Sequence, residues 1–151
     1  MLKKILMVAT AVVSLMVVVP TISAGSADAR WTPTPRIAVL GEEVWTAGNN
    51  GACRGSMHVS VKNDARKPGQ VQLTVRSRGF TSDRCRATLR FTYNNAVPPF
   101  AHERYFGIVG TKKRGVVLAQ KTYRVGSGLN LIAVTSTNPA QKGASWYIAI
   151  P

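Results

Sequence analysis

Residues 85–93 read Cys-Arg-Ala-Thr-Leu-Arg-Phe-Thr-Tyr, so an extended chain places Cys85, Ala87, Leu89, Phe91 and Tyr93 on one side and Arg86, Thr88, Arg90 and Thr92 on the other. Alternation with period two marks a strand that buries one face. The pattern repeats upstream over 71–78, where Val71, Leu73 and Val75 oppose Gln72, Thr74, Arg76 and Arg78. It repeats again over 56–62, where Met57, Val59 and Val61 oppose His58, Ser60 and Lys62. Residues 63–69 (Asn-Asp-Ala-Arg-Lys-Pro-Gly) have the composition of a turn, and residues 79–83 break the second run from the third.

Further strands are expected downstream at 104–111 and 116–125, joined as a hairpin by Lys112-Lys113-Arg114-Gly115. Residues 129–137, with their Leu-Asn-Leu-Ile-Ala-Val core, read as a strand buried on both sides, and 145–150 as the closing strand. One or two shorter ones fit 36–40 and 43–47. Seven to nine strands at this spacing, with no internal repeat, predict an all-β antiparallel sandwich forming a single domain over 37–151. Residues 30–36, with Pro33 and Pro35, form an extended Pro-rich lead-in.

The N-terminus has a different character. Lys3 and Lys4 precede an apolar run over 5–19 that is interrupted only by Thr10 and Ser14, and Pro20 ends it. A basic start, a run too short to span a bilayer comfortably, and the small-x-small sequence Ala27-Asp28-Ala29 match a secretory signal helix over 1–29. Cleavage is expected before Arg30, with Ala24 as the second choice. The first cysteine is Cys53, so no lipid anchor on a new N-terminal cysteine and no transmembrane anchor is expected in the mature chain. The expected location is extracellular, free or associated with the cell envelope.

The full chain of 151 residues is 45% hydrophobic and only 17% charged, a composition that excludes a disordered chain. Without residues 1–29 it carries 18 basic and five acidic residues, a net charge of +13, so the positive charge belongs to the folded part. Export would expose Cys53 and Cys85 to an oxidising environment, and neither has another partner, so a Cys53–Cys85 disulfide is expected.

Three segments carry a resemblance. Gly51-Ala52-Cys53-Arg54-Gly55 leading into a Val-x-Val strand, the break Gly126-Ser127-Gly128-Leu129-Asn130-Leu131, and the closing Ser145-Trp-Tyr-Ile-Ala-Ile-Pro151 resemble small secreted immunoglobulin-like proteins of actinobacteria. The resemblance implies an immunoglobulin-like sandwich and export, and carries over no functional residue. The chain departs from the immunoglobulin Cys-Trp-Cys pattern, because no Trp lies between Cys53 and Cys85.

Signatures of catalysis are sparse. No His-Glu-x-x-His, Cys-x-x-Cys, Gly-x-Ser-x-Gly or Gly-rich phosphate loop occurs, and no metal or cofactor is expected. Glu42 and Glu43 are adjacent and would diverge on an extended segment. His102-Glu103-Arg104 is the one cluster with the residue types of an acid–base phosphodiesterase or nuclease, although neighbours on a strand also diverge. A third class is a secreted inhibitor or host-interacting protein that uses an exposed loop at 94–101 or 64–70.

Arginine rises above this background. If the three alternating runs are neighbours in one sheet, its outer face gathers His58, Lys62, Arg76, Arg78, Arg86 and Arg90, while Lys112, Lys113 and Arg114 form a second concentration at the hairpin tip. Arginine outnumbers lysine by 12 to six over 30–151, and its planar fork suits phosphate and carboxylate. The expectation is a non-catalytic binding protein that engages an anionic envelope polymer, lipid headgroups or a host protein through a basic sheet face. Nucleic acid would be held only non-specifically, because Phe91 and Tyr93 fall on the inward face.

Overall fold

The computed structural model describes residues 30–95, 100–138 and 142–151. The signal segment expected over 1–29 and the centre of the 94–101 loop lie outside the described residues. Among the described residues there are ten strands: β1 (Thr32–Pro33), β2 (Arg36–Gly41), β3 (Glu43–Gly48), β4 (Cys53–Asn63), β5 (Gln70–Phe80), β6 (Cys85–Asn94), β7 (Ala101–Gly110), β8 (Val117–Arg124), β9 (Gly128–Ser136) and β10 (Ala144–Ile150). The single helical element among the described residues is a 3-10 turn at Asn49–Gly51. Every segment read from sequence as a strand is one, at the upper end of the seven to nine expected, and β1 adds a two-residue strand within the Pro-rich lead-in, paired with Lys62 and Asn63.

The strands form two antiparallel sheets packed as a sandwich. The first runs β1-β4-β5-β8, with β3 also paired to β4, and the second runs β2-β10-β9-β6-β7. Alternation works as expected in the three deciding runs. Met57, Val59, Val61, Val71, Leu73 and Val75 from the first sheet meet Leu89, Phe91, Ile132, Val134, Trp146 and Ile148 from the second in one apolar core. Phe91 stacks on Tyr123 of β8 at 4.4 Å between ring centroids, joining the sheets at their β7–β8 side. Burial beside that ring pushes the Tyr123 hydroxyl above its ordinary pKa.

The structure corrects three expectations. The third alternating run, β6, is not a neighbour of β5: the chain crosses between them to the other sheet, where β6 pairs with β7 and β9. Period two reports which face of a strand is buried, and the inner faces of two packed sheets carry the same pattern, so alternation does not name the partner. The expected hairpin of 104–111 with 116–125 also divides, since β7 pairs with β6 while β8 pairs with β5. Finally, β9 is buried on one side only. Asn130, Ile132, Val134 and Ser136 are buried, whereas Leu129 is 71% exposed on the uncovered outer face.

The expected Cys53–Cys85 disulfide is present and links the start of β4 to the start of β6, bridging the two sheets. It lies against Gly48, where an added Cβ would sit 2.7 Å from Cys85 Sγ and 2.5 Å from the Arg86 carbonyl oxygen, so only glycine fits.

Candidate anion-binding groove

The division of the sheets divides the expected basic face. His58, Lys62, Arg76 and Arg78 share the outer side of the first sheet, with His58 opposite Arg76 in the β4–β5 register. Arg86 and Arg90 belong to the second sheet. There Arg90 lies 3.5 Å from Glu103 and donates to the Thr135 hydroxyl at 3.4 Å, so it has local partners of its own. The six residues therefore do not form one surface.

A different convergence replaces it. The 111–116 segment folds back over β5 rather than forming a hairpin tip. The Ser77 amide donates to the Val116 carbonyl (2.8 Å), the Gly115 amide donates to the Ser77 carbonyl (2.7 Å), and the Ser77 hydroxyl donates to the Thr111 carbonyl (2.9 Å). Arg76 adds a guanidinium bond to the Gly115 carbonyl at 3.2 Å. These contacts lay Arg114 across Gly79, whose φ of +116° favours glycine and whose missing side chain would stand 3.7 Å from Arg114 Nε.

Arg54 enters from the start of β4. Its amide donates to the Thr81 hydroxyl oxygen (3.0 Å), and its carbonyl accepts from the Thr81 amide (2.8 Å). The result is a groove of about 620 Å³ lined by Trp45, Arg54, Arg78, Phe80, Lys112 and Arg114. A smaller hollow of about 250 Å³, bordered by His58 and Arg76, shares Arg78 and Arg114 with it. Structure thus unites part of the expected sheet face with part of the expected loop cluster. Lys62 and Lys113 line neither concavity.

Opposing charge is scarce here. Glu43 Oε1 lies 3.6 Å from Arg78 Nε, and Glu42 pairs with Arg36 and lies 3.7 Å from His58 Nε2. Among the described residues, Arg54 and Arg114 have no carboxylate within ion-pair distance. Like charges gathered on one surface repel, so an anion seated between them would relieve the repulsion.

Asp83 clips the loop and also attracts the Lys112 ammonium. Its Oδ1 accepts the Thr111 hydroxyl at 2.6 Å and the Lys112 amide at 3.0 Å, and these two bonds hold its pKa below the ordinary 3.8. A lowered carboxylate pKa stabilises the fold above the unfolded-state value. The clip is therefore fully formed at neutral pH and is released as the pH falls below 3.8 through the folded-state pKa.

Two groove residues escaped the sequence reading. Alternation starts visibly at Ser56, whereas β4 starts at Cys53, because Gly55 removes the side chain that would have extended the pattern through Arg54. Gly55 is required by packing, since a Cβ there would stand 2.3 Å from the Phe80 ring. Trp45 sat in an expected strand, but no sequence signal placed it beside β5 and the 111–116 segment.

The alternative sites fare differently. His102 stacks on Tyr93 at 4.7 Å, whereas Glu103 on the opposite side of β7 receives the Tyr105 hydroxyl at 2.6 Å. This bond raises the Tyr105 pKa, and His102 and Glu103, with separate partners on opposite sides of β7, do not converge as an acid–base pair. The 64–70 loop is tied down through the Gly69 amide to the Pro151 carbonyl (2.8 Å) and through the Asp64 carbonyl to the Lys67 amide (2.8 Å). Among the described residues no three His, Cys, Asp or Glu side chains gather as a metal site, and no helix is long and apolar enough to cross a membrane. No protein-family model, curated protein or solved structure matches the chain.

Proposed function

We propose that the protein is an exported, non-catalytic immunoglobulin-like domain that binds an anionic partner at the cell envelope through the Arg54–Arg78–Arg114 groove. The observation that carries this reading is the pair Arg54 and Arg114, which line one concavity without a carboxylate partner among the described residues. Guanidinium groups in that state offer charge-assisted, bidentate hydrogen bonds to phosphate, sulfate or carboxylate. The groove is also held by backbone bonds of β4, β5 and the 111–116 segment, which lowers the ordering cost of binding.

The immunoglobulin-like part rests on strand order. β4-β5-β8 facing β7-β6-β9-β10 corresponds to strands A-B-E facing C′-C-F-G of such sandwiches. Cysteine placement departs from the usual B-to-F bridge, as the disulfide here joins strands equivalent to A and C. The disulfide is consistent with an extracellular location, as export and the resemblance to secreted actinobacterial proteins would require.

The test is binding of the purified protein to anionic envelope material at low and physiological salt, beside two variants. Arg54→Ala/Arg114→Ala is expected to weaken binding by about tenfold or more for each arginine, at physiological salt. Arg86→Ala/Arg90→Ala removes the same charge from the other sheet and is expected to change binding only slightly. Equal losses in both variants, erased by salt, would reduce the attraction to a long-range field and sink the proposal.

A further inference from the structure

We infer that the anionic partner is an acidic polysaccharide, one sugar ring of which lies against Trp45 while its anionic substituent reaches Arg54 and Arg114. The inference rests on the binding reading above and names the ligand class of the same groove. Of the chain's three tryptophans, Trp146 is fully buried and Trp31 lies under the Lys67 ammonium at 5.3 Å, whereas Trp45 is 46% exposed and lines the groove.

Trp45 is held in place rather than merely exposed. Its amide donates to the Lys142 carbonyl at 3.1 Å, and its indole Nε1 donates to Glu43 Oε2 at 3.4 Å. The other oxygen of Glu43 lies 3.6 Å from Arg78 Nε. One carboxylate therefore sets the indole and a guanidinium side by side at the groove.

Together the groove residues offer an exposed aromatic face and arginines lacking acidic partners. A ligand that satisfies both has an apolar ring face and a negative substituent on the same unit. A sugar acid or sulfated sugar has this composition. A densely charged phosphate chain has no ring, and single-stranded nucleic acid is held by a succession of aromatic platforms where this groove supplies one exposed ring, Phe80 being buried.

The test titrates the purified protein with four probes: polygalacturonate, inorganic polyphosphate, phosphatidylglycerol vesicles and a single-stranded oligonucleotide. Trp45→Ala is expected to weaken polygalacturonate binding about tenfold, with most of the affinity kept by Trp45→Phe, and to leave polyphosphate binding unchanged. Arg54→Ala/Arg114→Ala is expected to lose both. Polygalacturonate binding that ignores Trp45 but needs the arginines would overturn the polysaccharide inference and leave the anion-binding reading standing. Binding indifferent to both sets of changes would overturn the two together. A larger Trp45 dependence for the oligonucleotide or the vesicles would assign the ring to a base or a lipid and also overturn the inference. Unchanged near-ultraviolet circular dichroism and melting temperature show that each variant is folded.

Discussion

Trp146→Ala is expected to lower the free energy of unfolding by about 3–5 kcal/mol, the range for removing a large buried aromatic side chain. Trp146 is fully buried on the central part of β10, opposite Ala38 of β2 and Ile132 of β9. It is the largest fully buried side chain in the core. Three strands of the second sheet therefore lose packing at once. Domains of this size are stable by only about 5–15 kcal/mol, so the variant stands near the threshold of folding. Trp146→Phe is expected to cost much less, because it keeps most of the ring volume and removes an indole N–H that has no hydrogen-bond partner. Urea denaturation followed by circular dichroism measures both. A loss below about 1 kcal/mol for the alanine variant would contradict the placement of Trp146 in the core.

Removal of the disulfide by Cys53→Ser/Cys85→Ser is expected to cost roughly 3–4 kcal/mol in the chain-entropy account of a closed loop of this length. The cysteines are 32 residues apart in sequence, and the bridge spans the two sheets, so its loss frees the unfolded chain and a cross-sheet tie together. Arg54 follows Cys53 directly and its backbone is clipped to Thr81, so weaker anion binding is expected to accompany the loss of stability. Denaturation midpoints with and without reductant, compared with those of the serine variant, check the effect. Equal midpoints in all three would show that the bridge contributes nothing.

The strands were legible because their inner faces alternate so regularly: Cys85 to Tyr93 need only period two to be placed with their apolar side inward. Partner choice was less accessible. β5 and β6 both present an apolar inner face, and the crossing between them depends on a short link that ends at Arg84, held at a positive φ of 65°. Hairpin logic failed at Lys112–Gly115 for a related reason, since the basic segment is captured by Ser77 of β5, 34 or more residues earlier in sequence. Contacts of that separation leave no local imprint.

The candidate site was legible in its ingredients and illegible in its assembly. Arg76, Arg78 and Arg114 belonged to two separate expected clusters that the fold joins, Arg86 and Arg90 were grouped with the wrong sheet, and Trp45 and Arg54 became groove residues through tertiary packing alone. Gly79 shows the difficulty in miniature. In sequence it marks a strand break, whereas in the structure it lies inside β5 and leaves room for the Arg114 side chain.

The most direct measurement is of the arginine Nε–Hε resonances of isotopically labelled protein during titration with short-chain inorganic polyphosphate at physiological salt. Saturable shifts at Arg54, Arg78 and Arg114, with Arg86 and Arg90 unmoved, are the predicted result. Shifts spread evenly over the arginines of both sheets, without saturation, would contradict the groove as a binding site.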